Sequence, residues 1–409
     1  MKILYVIHEF FPNHYTGTAR FALNLAMQMQ RMGNTIKILT YGETDDDLTM
    51  RSGKILYKKY FFNTLEVWSF RHDTMIPSIH FDIFNHEIES DICRFIELEK
   101  LDHVDMVHII HPLRTGVIVQ YFHKKKIPLI MTLTDYWTLC PRVQLLKPDN
   151  SLCNGPSGDK CSMECGFPLK KIADRIAASQ ILMKYPQVIT VPSTLVKKIF
   201  TLNGYPEERF SVINHGLDYG QFHIMPHKTY SPGAPVVFGY VGPVTPQKGL
   251  DLLISAFKRV PGNILLKIYG THLNQNEYLI RLKTNVESDP RIEFMGEYRY
   301  EELPEIFSGI DVEIFASIWY ETYCLALLEG LAHSIPIIAS DTIGSALEFL
   351  DNQSRVIFAS RDQKHLMDRI KYIRDNPEVL YEMTQNICYP PRIEEEAISY
   401  EQLYWNMIR

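Results

Sequence analysis

Short, almost wholly apolar runs alternate along this chain with longer stretches whose apolar residues fall at helical spacing. The first such unit is ILYVI (3–7), a loop, GTARFALNLAMQMQRMG (17–33) and then TIKILTYG (35–42). A unit of the same form starts again in mid-chain with VVFGYVG (236–242), the loop PVTPQKG (243–249) and LDLLISAFKRV (250–260). Strand-like runs alternating with amphipathic helical runs predict an α/β fold with parallel sheets. Two β-loop-α starts so far apart predict two Rossmann-like, doubly wound halves.

Further strands are expected at VITVPS (188–193) and FSVINHGLD (210–218) in the first half. In the second they are expected at LLKIYG (265–270), RIEFMG (291–296), DVEIFAS (311–317) and IPIIASD (335–341). HIMPHKTYSPGAP (223–235) is rich in Pro, Gly and polar residues and reads as a linker. The expected organisation is therefore a first domain over 1–222, a linker over 223–235, a second domain over 236–390 and a tail over 391–409. The amphipathic, aromatic-rich tail EEEAISYEQLYWNMIR (394–409) predicts a helix packed on the rest of the chain.

With 409 residues the chain is too long for one core, which agrees with two domains. A net charge of −6 argues against nucleic acid as a partner, since tracking phosphates requires excess Lys and Arg. The basic runs HKKKIP (123–128) and LKKIADR (169–175) read as solvated faces or as a patch for anionic lipid or substrate, that is, a peripheral membrane contact. MKILYVIHEFF lacks the pattern of a signal peptide, and no apolar stretch reaches the 18 or so residues of a membrane span. The expected location is the cytoplasm, with peripheral attachment at the inner membrane face as the variant. Seven cysteines, an odd number, fit free thiols better than a disulfide framework. Four of them, Cys140, Cys153, Cys161 and Cys165, fall in a polar insert (140–165). They read as reduced thiols, with a structural zinc site or disulfides as the alternatives.

The chain carries no G-x-G-x-x-G, Walker A loop, H-E-x-x-H or G-x-S-x-G. The acidic triplet Asp45-Asp46-Asp47 reads as a solvated turn. A more informative segment is ETYCLALLEG (321–330), in which Glu321 and Glu329 bracket apolar and small residues. A helix starting near Tyr323 or Cys324 would offer unpaired amides and its dipole to a phosphate. Glu321 could then reach the hydroxyls of a bound group, and Glu329 the vicinal diol of a ribose. The competing reading is a core helix with one glutamate as a cap and one at the surface. Lys248, on a Gly-flanked loop, can meet a diphosphate, and Gly17 at a strand-to-helix turn leaves backbone open to a ligand. His108 and His111 end a strand, either as ligand contacts or as packing; His215 reads as a loop residue.

Taken together these segments resemble glycosyltransferase family 4, the retaining transferases of two-Rossmann (GT-B) architecture. The resemblance is carried by SIWYETYCLALLEGLAHSIPIIASD, VGPVTPQKGLDLLISAF, FSVINHGLD and TGTARFALNLA, and for one subgroup by LTDYWTLCPRVQLLKPDNSLCNGP. It implies two domains with a cleft between them and a C-terminal helix crossing back onto the first. It implies a UDP-, GDP- or ADP-sugar as donor, no required cofactor or metal, and a glycan, lipid-linked glycan or small molecule as acceptor. By the same resemblance Glu329 would hold the ribose and Lys248 the diphosphate. Glu321 would contact the transferred sugar, and the amides of Tyr323, Cys324 and Leu325 the sugar and phosphate. Gly242, Gly17, Thr18 and Glu348 join the donor set, Asp135 the catalytic set, and Arg20 and Thr134 the acceptor side together with the two histidines. Acceptor recognition would lie in variable loops over 60–90 and 140–170.

The chain departs from the family pattern at Pro243, where Arg is common, and at Thr134, where His is usual. Cys324 stands where Gly is frequent, and Ile343 precedes Gly344 where a Gly pair is frequent. The competing functions are a catalytically impaired binding or partner subunit and a sugar-nucleotide epimerase.

Overall fold

In the computed structural model, residues 1–42, 47–74, 76, 78–221, 233–270, 276–350 and 356–409 are described. Residues 223–232 of the expected linker, Met75 and Pro77 of the expected loop, and Asp45 and Asp46 of the acidic turn lie outside them. The chain forms two units. One comprises Met1–Pro192, Val196–Gly216 and Ile393–Arg409; the other comprises Ser193–Leu195 and Leu217–Arg392. The division falls after Gly216 rather than at 222, and hydrogen bonding explains why. His215 and the Gly216 amide bond to Glu396 of the first unit, whereas the Leu217 amide donates to the Pro391 carbonyl of the second.

The first unit opens with β1 (Lys2–Ile7), α1 (Gly17–Arg31), β2 (Thr35–Tyr41), β3 (Met50–Ser52), β4 (Ile55–Phe62) and β5 (Leu65–His72). It continues through α2 (Glu89–Leu98), β6 (Met106–Ile109), α3 (Gly116–Lys124), β7 (Leu129–Thr132), α4 (Gly158–Cys165), α5 (Leu169–Leu182), β8 (Val188–Val191), α6 (Thr194–Leu202) and β9 (Phe210–Val212). Its sheet runs in the order β3-β4-β5-β2-β1-β6-β7-β8-β9. All neighbours are parallel except β3 with β4 and β4 with β5. Residues 60–72, expected within a variable loop, are thus largely strand. The reason lies in β4, where Ile55 and Tyr57 are buried between more exposed neighbours, the alternation of an antiparallel strand covered on one face.

The second unit contains β10 (Val236–Val241), α7 (Leu250–Lys258), β11 (Ile264–Tyr269), α8 (Asn276–Val286), β12 (Ile292–Gly296), α9 (Leu303–Ser308) and β13 (Val312–Phe315). There follow α10 (Leu325–Ala332), β14 (Ile337–Ser340), α11 (Gly344–Phe349), β15 (Ile357–Phe358), α12 (Gln363–Asp375) and α13 (Val379–Gln385). Its sheet is parallel throughout, in the order β12-β11-β10-β13-β14-β15. One face packs Phe238, Leu266, Val312 and Ile314 against Leu253, Ile254, Phe257, Leu366 and Ile370. The other face meets α10 through Val241, Phe315 and Ile337. No helix among the described residues is long and apolar enough to cross a membrane. In the basic run at 123–128, Lys124 and Lys125 are paired with Glu89 and Glu97.

The final helix, α14 (Ile393–Ile408), belongs to the first unit and is docked by polar contacts as well as apolar ones. Tyr5 and His108 are register partners on β1 and β6, and Thr132 and Thr190 on β7 and β8, so together they line a polar stripe. Tyr404 Oη meets His108 Nδ1 at 2.7 Å and Tyr5 Oη at 3.2 Å. Tyr400 Oη lies 3.2 Å from both threonine hydroxyls, and His108 Nε2 lies 2.7 Å from Thr132 Oγ1. Burial pushes the His108 pKa down to about 3, so the ring is neutral. His108 is therefore a buried link under α14 and not a ligand contact, which corrects the expectation. His215 is no free loop residue either. Its Nδ1 and the Gly216 amide hold the two oxygens of buried Glu396 at 2.9 and 2.7 Å. Glu396→Ala strands both partners and is expected to cost about 3 kcal/mol in chemical denaturation, with Glu396→Gln milder. Equal midpoints for Glu396→Ala and the parent would contradict this anchoring.

Candidate functional site

Where strand order reverses in an open parallel sheet, the loops leaving two adjacent strands diverge and leave a crevice at their C-terminal ends. In the second unit the reversal falls between β10 and β13. The loop after β10 carries Lys248 and the loop after β13 carries Glu321.

Both loops are shaped by local chemistry. Pro246–Lys248 form one tight turn, ended by Gly249 at φ 72°. A side chain at Gly249 would also place its Cβ 1.9 Å from the Ala316 carbonyl oxygen, so the close approach of the two loops requires glycine there. The Ile318 amide donates to the Gln247 carbonyl at 2.9 Å and ties the loops together. Lys248 Nζ then bonds to Glu321 Oε1, while Ser317 Oγ donates to Glu321 Oε2 at 2.6 Å. Backbone bonds fix Glu321 as well: its amide reaches the Thr342 carbonyl and its carbonyl accepts from Gly344, each at 2.9 Å. Burial, the largest single influence, opposes the charge on Lys248, but the neighbouring groups together, Glu321 first among them, hold the pKa above the ordinary lysine value. The ammonium is thus kept charged in a mostly dry site.

The helix that follows starts at Leu325, with Cys324 as its cap residue, one position after the expected start. The Cys324 amide is taken by Ser345 Oγ at 3.3 Å. The first amides of α10 have no partner within the helix and face a developing or fixed negative charge favourably. The Tyr323 and Cys324 side chains are buried in the core beside α10, and burial pushes the Cys324 thiol up, so it is no nucleophile at neutral pH. Glu329 lies farther along α10 and is 7% exposed. Gly242 follows β10 directly, at φ 152°. Next to it, the Pro243 carbonyl accepts from Tyr240 Oη at 2.7 Å. Glu348 Oε1 accepts from the Thr194 amide at 2.7 Å and from its hydroxyl at 2.6 Å.

One residue escaped the sequence reading. Glu313, inside β13, is 0% exposed and neither carboxyl oxygen has a hydrogen-bond partner. Its signal was present in DVEIF, as an acid at a position where a buried strand calls for an apolar side chain.

In the first unit the reversal lies between β1 and β6, and a second polar cluster forms at the same end of that sheet. Thr16 caps α1 by accepting from the Ala19 amide, and a Cβ on Gly17 would meet nothing within 4 Å. Thr18 Oγ1 donates to Thr134 Oγ1 at 3.0 Å. Arg20, in the first turn of α1, is half-buried. His111 Nδ1 accepts from the Leu113 amide at 3.1 Å, which places the ring proton on Nε2, 2.8 Å from Asp135 Oδ2. Asp135 Oδ1 accepts from the Trp137 amide. His8 packs on the His111 ring, with centroids 4.0 Å apart. Burial, then the neighbouring His111 and Arg114, drive the His8 pKa well down, so His8 is neutral. Glu9 lies 3.5 Å from His14 and 3.6 Å from Arg114. The sequence reading found Asp135 and His111 but missed His8, Glu9, His14 and Arg114. Their signal was position, directly after the strands flanking the reversal.

The four insert cysteines are free thiols. Burial raises the pKa of Cys140 to about 11 and raises those of Cys161 and Cys165. Among the described residues no three His, Cys, Asp or Glu side chains are placed to hold a metal ion.

The fold and the loop chemistry define the class: a protein of two parallel-sheet, Rossmann-like α/β domains of the GT-B type. The whole chain superposes on Anabaena HepE in complex with UDP and glucose, with TM-score 0.65, 14% identity, and 99% of this chain and 100% of that one covered. It also superposes on sucrose-phosphate synthase from Thermosynechococcus elongatus, with TM-score 0.68, 16% identity, and 99% and 98% covered. Residues 224–387 match the family described as glycosyl transferases group 1. An uncharacterized glycosyltransferase of Methanocaldococcus jannaschii is 25% identical over 202 residues, which is 46% of this chain and 51% of that protein. The D-inositol 3-phosphate glycosyltransferase of Mycolicibacterium smegmatis is 23% identical over 224 residues, 51% of this chain and 49% of that protein. The chain spans about half the length of these relatives. The family match thus lies in the second unit, and the whole chain shares the GT-B fold.

Removing one partner of a buried ion pair leaves the other uncompensated. Lys248→Met is therefore expected to destabilise the protein by about 3 kcal/mol, and Lys248→Met with Glu321→Gln by clearly less. Denaturant midpoints of the singles and the double measure this; simple additivity would disprove the coupling.

Proposed function

We propose that this protein transfers a sugar of the hexose type from a UDP-, GDP- or ADP-sugar to a hydroxyl of a glycan, lipid-linked glycan or small acceptor. The observation that carries the proposal is the convergence, at the strand-order reversal of the second unit, of Lys248, Glu321 and the start of the helix bearing Glu329. A nucleotide sugar requires a cation and amide donors for its diphosphate, an acceptor for its ribose diol, and a polar group for its sugar. The relatives' names add weight: one is bound to UDP and glucose, and another acts on D-inositol 3-phosphate.

In this reading residues 236–390 bind the donor and residues 1–222 serve the acceptor. Lys248 meets the diphosphate with the α10 amides, Glu329 accepts from the ribose hydroxyls, and Glu321 orients Lys248 and contacts the sugar. As the C1–O bond to the phosphate breaks, its electron pair goes to the diphosphate, where the ammonium and amides stabilise it. The acceptor oxygen forms the new bond to C1 from the leaving-group face, and its proton passes to a donor phosphate oxygen. The anomeric configuration is retained. Gly17, Thr18 and the Asp135–His111 pair are assigned to the first unit's part of the reaction. His111 gives Asp135 an imidazole partner although Thr134 stands where relatives usually have His. Pro243 supplies no second cation, which favours the competing reading of a catalytically impaired subunit.

Titration with UDP, GDP and ADP, followed by assay of the matching nucleotide sugars, separates the readings. The transferase is expected to bind one nucleotide well, with Glu329→Ala and Lys248→Ala each weakening binding about tenfold or more. Transfer is expected to survive a metal chelator, because Lys248 and the α10 amides take the leaving-group charge. Unchanged affinity in both variants would remove the site assignment, and absence of nucleotide binding would leave the non-catalytic subunit.

A further inference from the structure

Glu313 is the least expected residue of the second unit. Strand β13 pairs with β10 at Gly239 and with β14 at Ile337, so Glu313 has hydrogen-bonded neighbours on both sides. Val312 and Ile314 point into one core and Phe315 into the other, and the alternation places Glu313 on the face shared with Phe315, beneath α10. There it is wholly inaccessible and neither oxygen has a partner. An ionised carboxylate in such a place carries a large desolvation cost, whereas a neutral acid carries a small one.

The helix above is fitted to this acid. A Cβ built on Gly330 would lie 2.3 Å from Glu313 Oε2, so the glycine after Glu329 lets the backbone of α10 come down onto the carboxyl. The titratable groups facing Glu313 are Glu329 on α10 and the Cys324 thiol at that helix's cap, with the Val241 amide on the strand side. Two carboxyls whose charges act on each other in a dry setting do not both ionise readily. The proton belongs on Glu313, the one wholly shut from solvent. Burial first, and then the Glu329 charge, hold the Glu313 pKa well above the usual carboxylate range.

We propose that Glu313 is a positioning residue for nucleotide binding: held un-ionised beneath α10, it leaves Glu329 as the ionised acceptor for a ribose diol, and its proton makes nucleotide affinity sensitive to pH. This rests on the donor-binding reading above. The sign follows from the raised value. The stabilisation tied to the protonated state is fully present below the pKa of an unfolded glutamate and is lost as pH rises through the folded one. Once Glu313 loses its proton, a second negative charge appears under Glu329. With no proton left between the two carboxylates, their repulsion displaces the one that binds the diol, and affinity falls.

The test is the dissociation constant of the preferred nucleoside diphosphate, from about pH 6 to about pH 9.5, for the parent and for Glu313→Gln. Glutamine keeps the shape without ionising. At the acid end the two proteins are expected to agree within about threefold, and towards the alkaline end the parent alone is expected to weaken by about fivefold or more. Ionisation of the nucleotide and of all other groups is common to both proteins and cancels. Glu313→Val, suited to a buried strand, makes the same comparison should the glutamine variant not fold, and it too is expected to give the flat profile. A purely structural role would shift unfolding temperature without separating the two binding profiles. Coincident profiles would overturn the proposal while leaving the donor site intact; no nucleotide binding by the parent at any pH would overturn both.

Discussion

Placing a lysine and a glutamate together largely out of water is the constraint around which the loops of the second unit's site are arranged. Each charge alone would be costly there, and together they are tolerable only with fixed geometry and further hydrogen bonds. The fold supplies both. Gly249 brings one loop against the backbone of the other, Gln247 and Ile318 join them, and Ser317 takes the remaining carboxylate oxygen. The same arrangement leaves an ammonium beside the start of a helix, so the contacts that make the pair affordable also prepare it to meet a phosphate.

The two units answer one topological situation with different chemistry. In each, polar side chains gather where adjacent strands send their loops apart. The second unit places a cation, helix amides and carboxylates there, suited to an anionic and hydroxylated ligand. The first places the neutral His8 ring, an aspartate held by His111, and a glutamate between His14 and Arg114.

Much of this was legible in the sequence because buried parallel strands are written as continuous apolar runs. β1, β10 and β14 were visible for that reason, and Lys248, Glu321 and Glu329 stood out because charged residues interrupt glycine-rich or apolar text. The strands β3 to β5 were not visible in the same way: β3 is only three residues long, β4 is half-buried in alternation, and β5 is a largely buried strand interrupted by charged residues. His108 was misread because a polar residue at a strand end looks the same whether it faces a ligand or a helix arriving from the far end of the chain. Its partner Tyr404 lies 296 residues away, and no local pattern encodes that meeting. Glu313 was overlooked for the opposite reason: its neighbours were so apolar that the strand was recognised and its exception passed over.

The docking of α14 has a consequence for biosynthesis. The polar stripe of Tyr5, His108, Thr132 and Thr190 is complete once the first unit's strands have paired, but the tyrosines that satisfy it come after residues 217–392. The stripe therefore gains these partners only after residues 393–408 have been made, so the first unit's sheet is completed by a segment translated after the second unit.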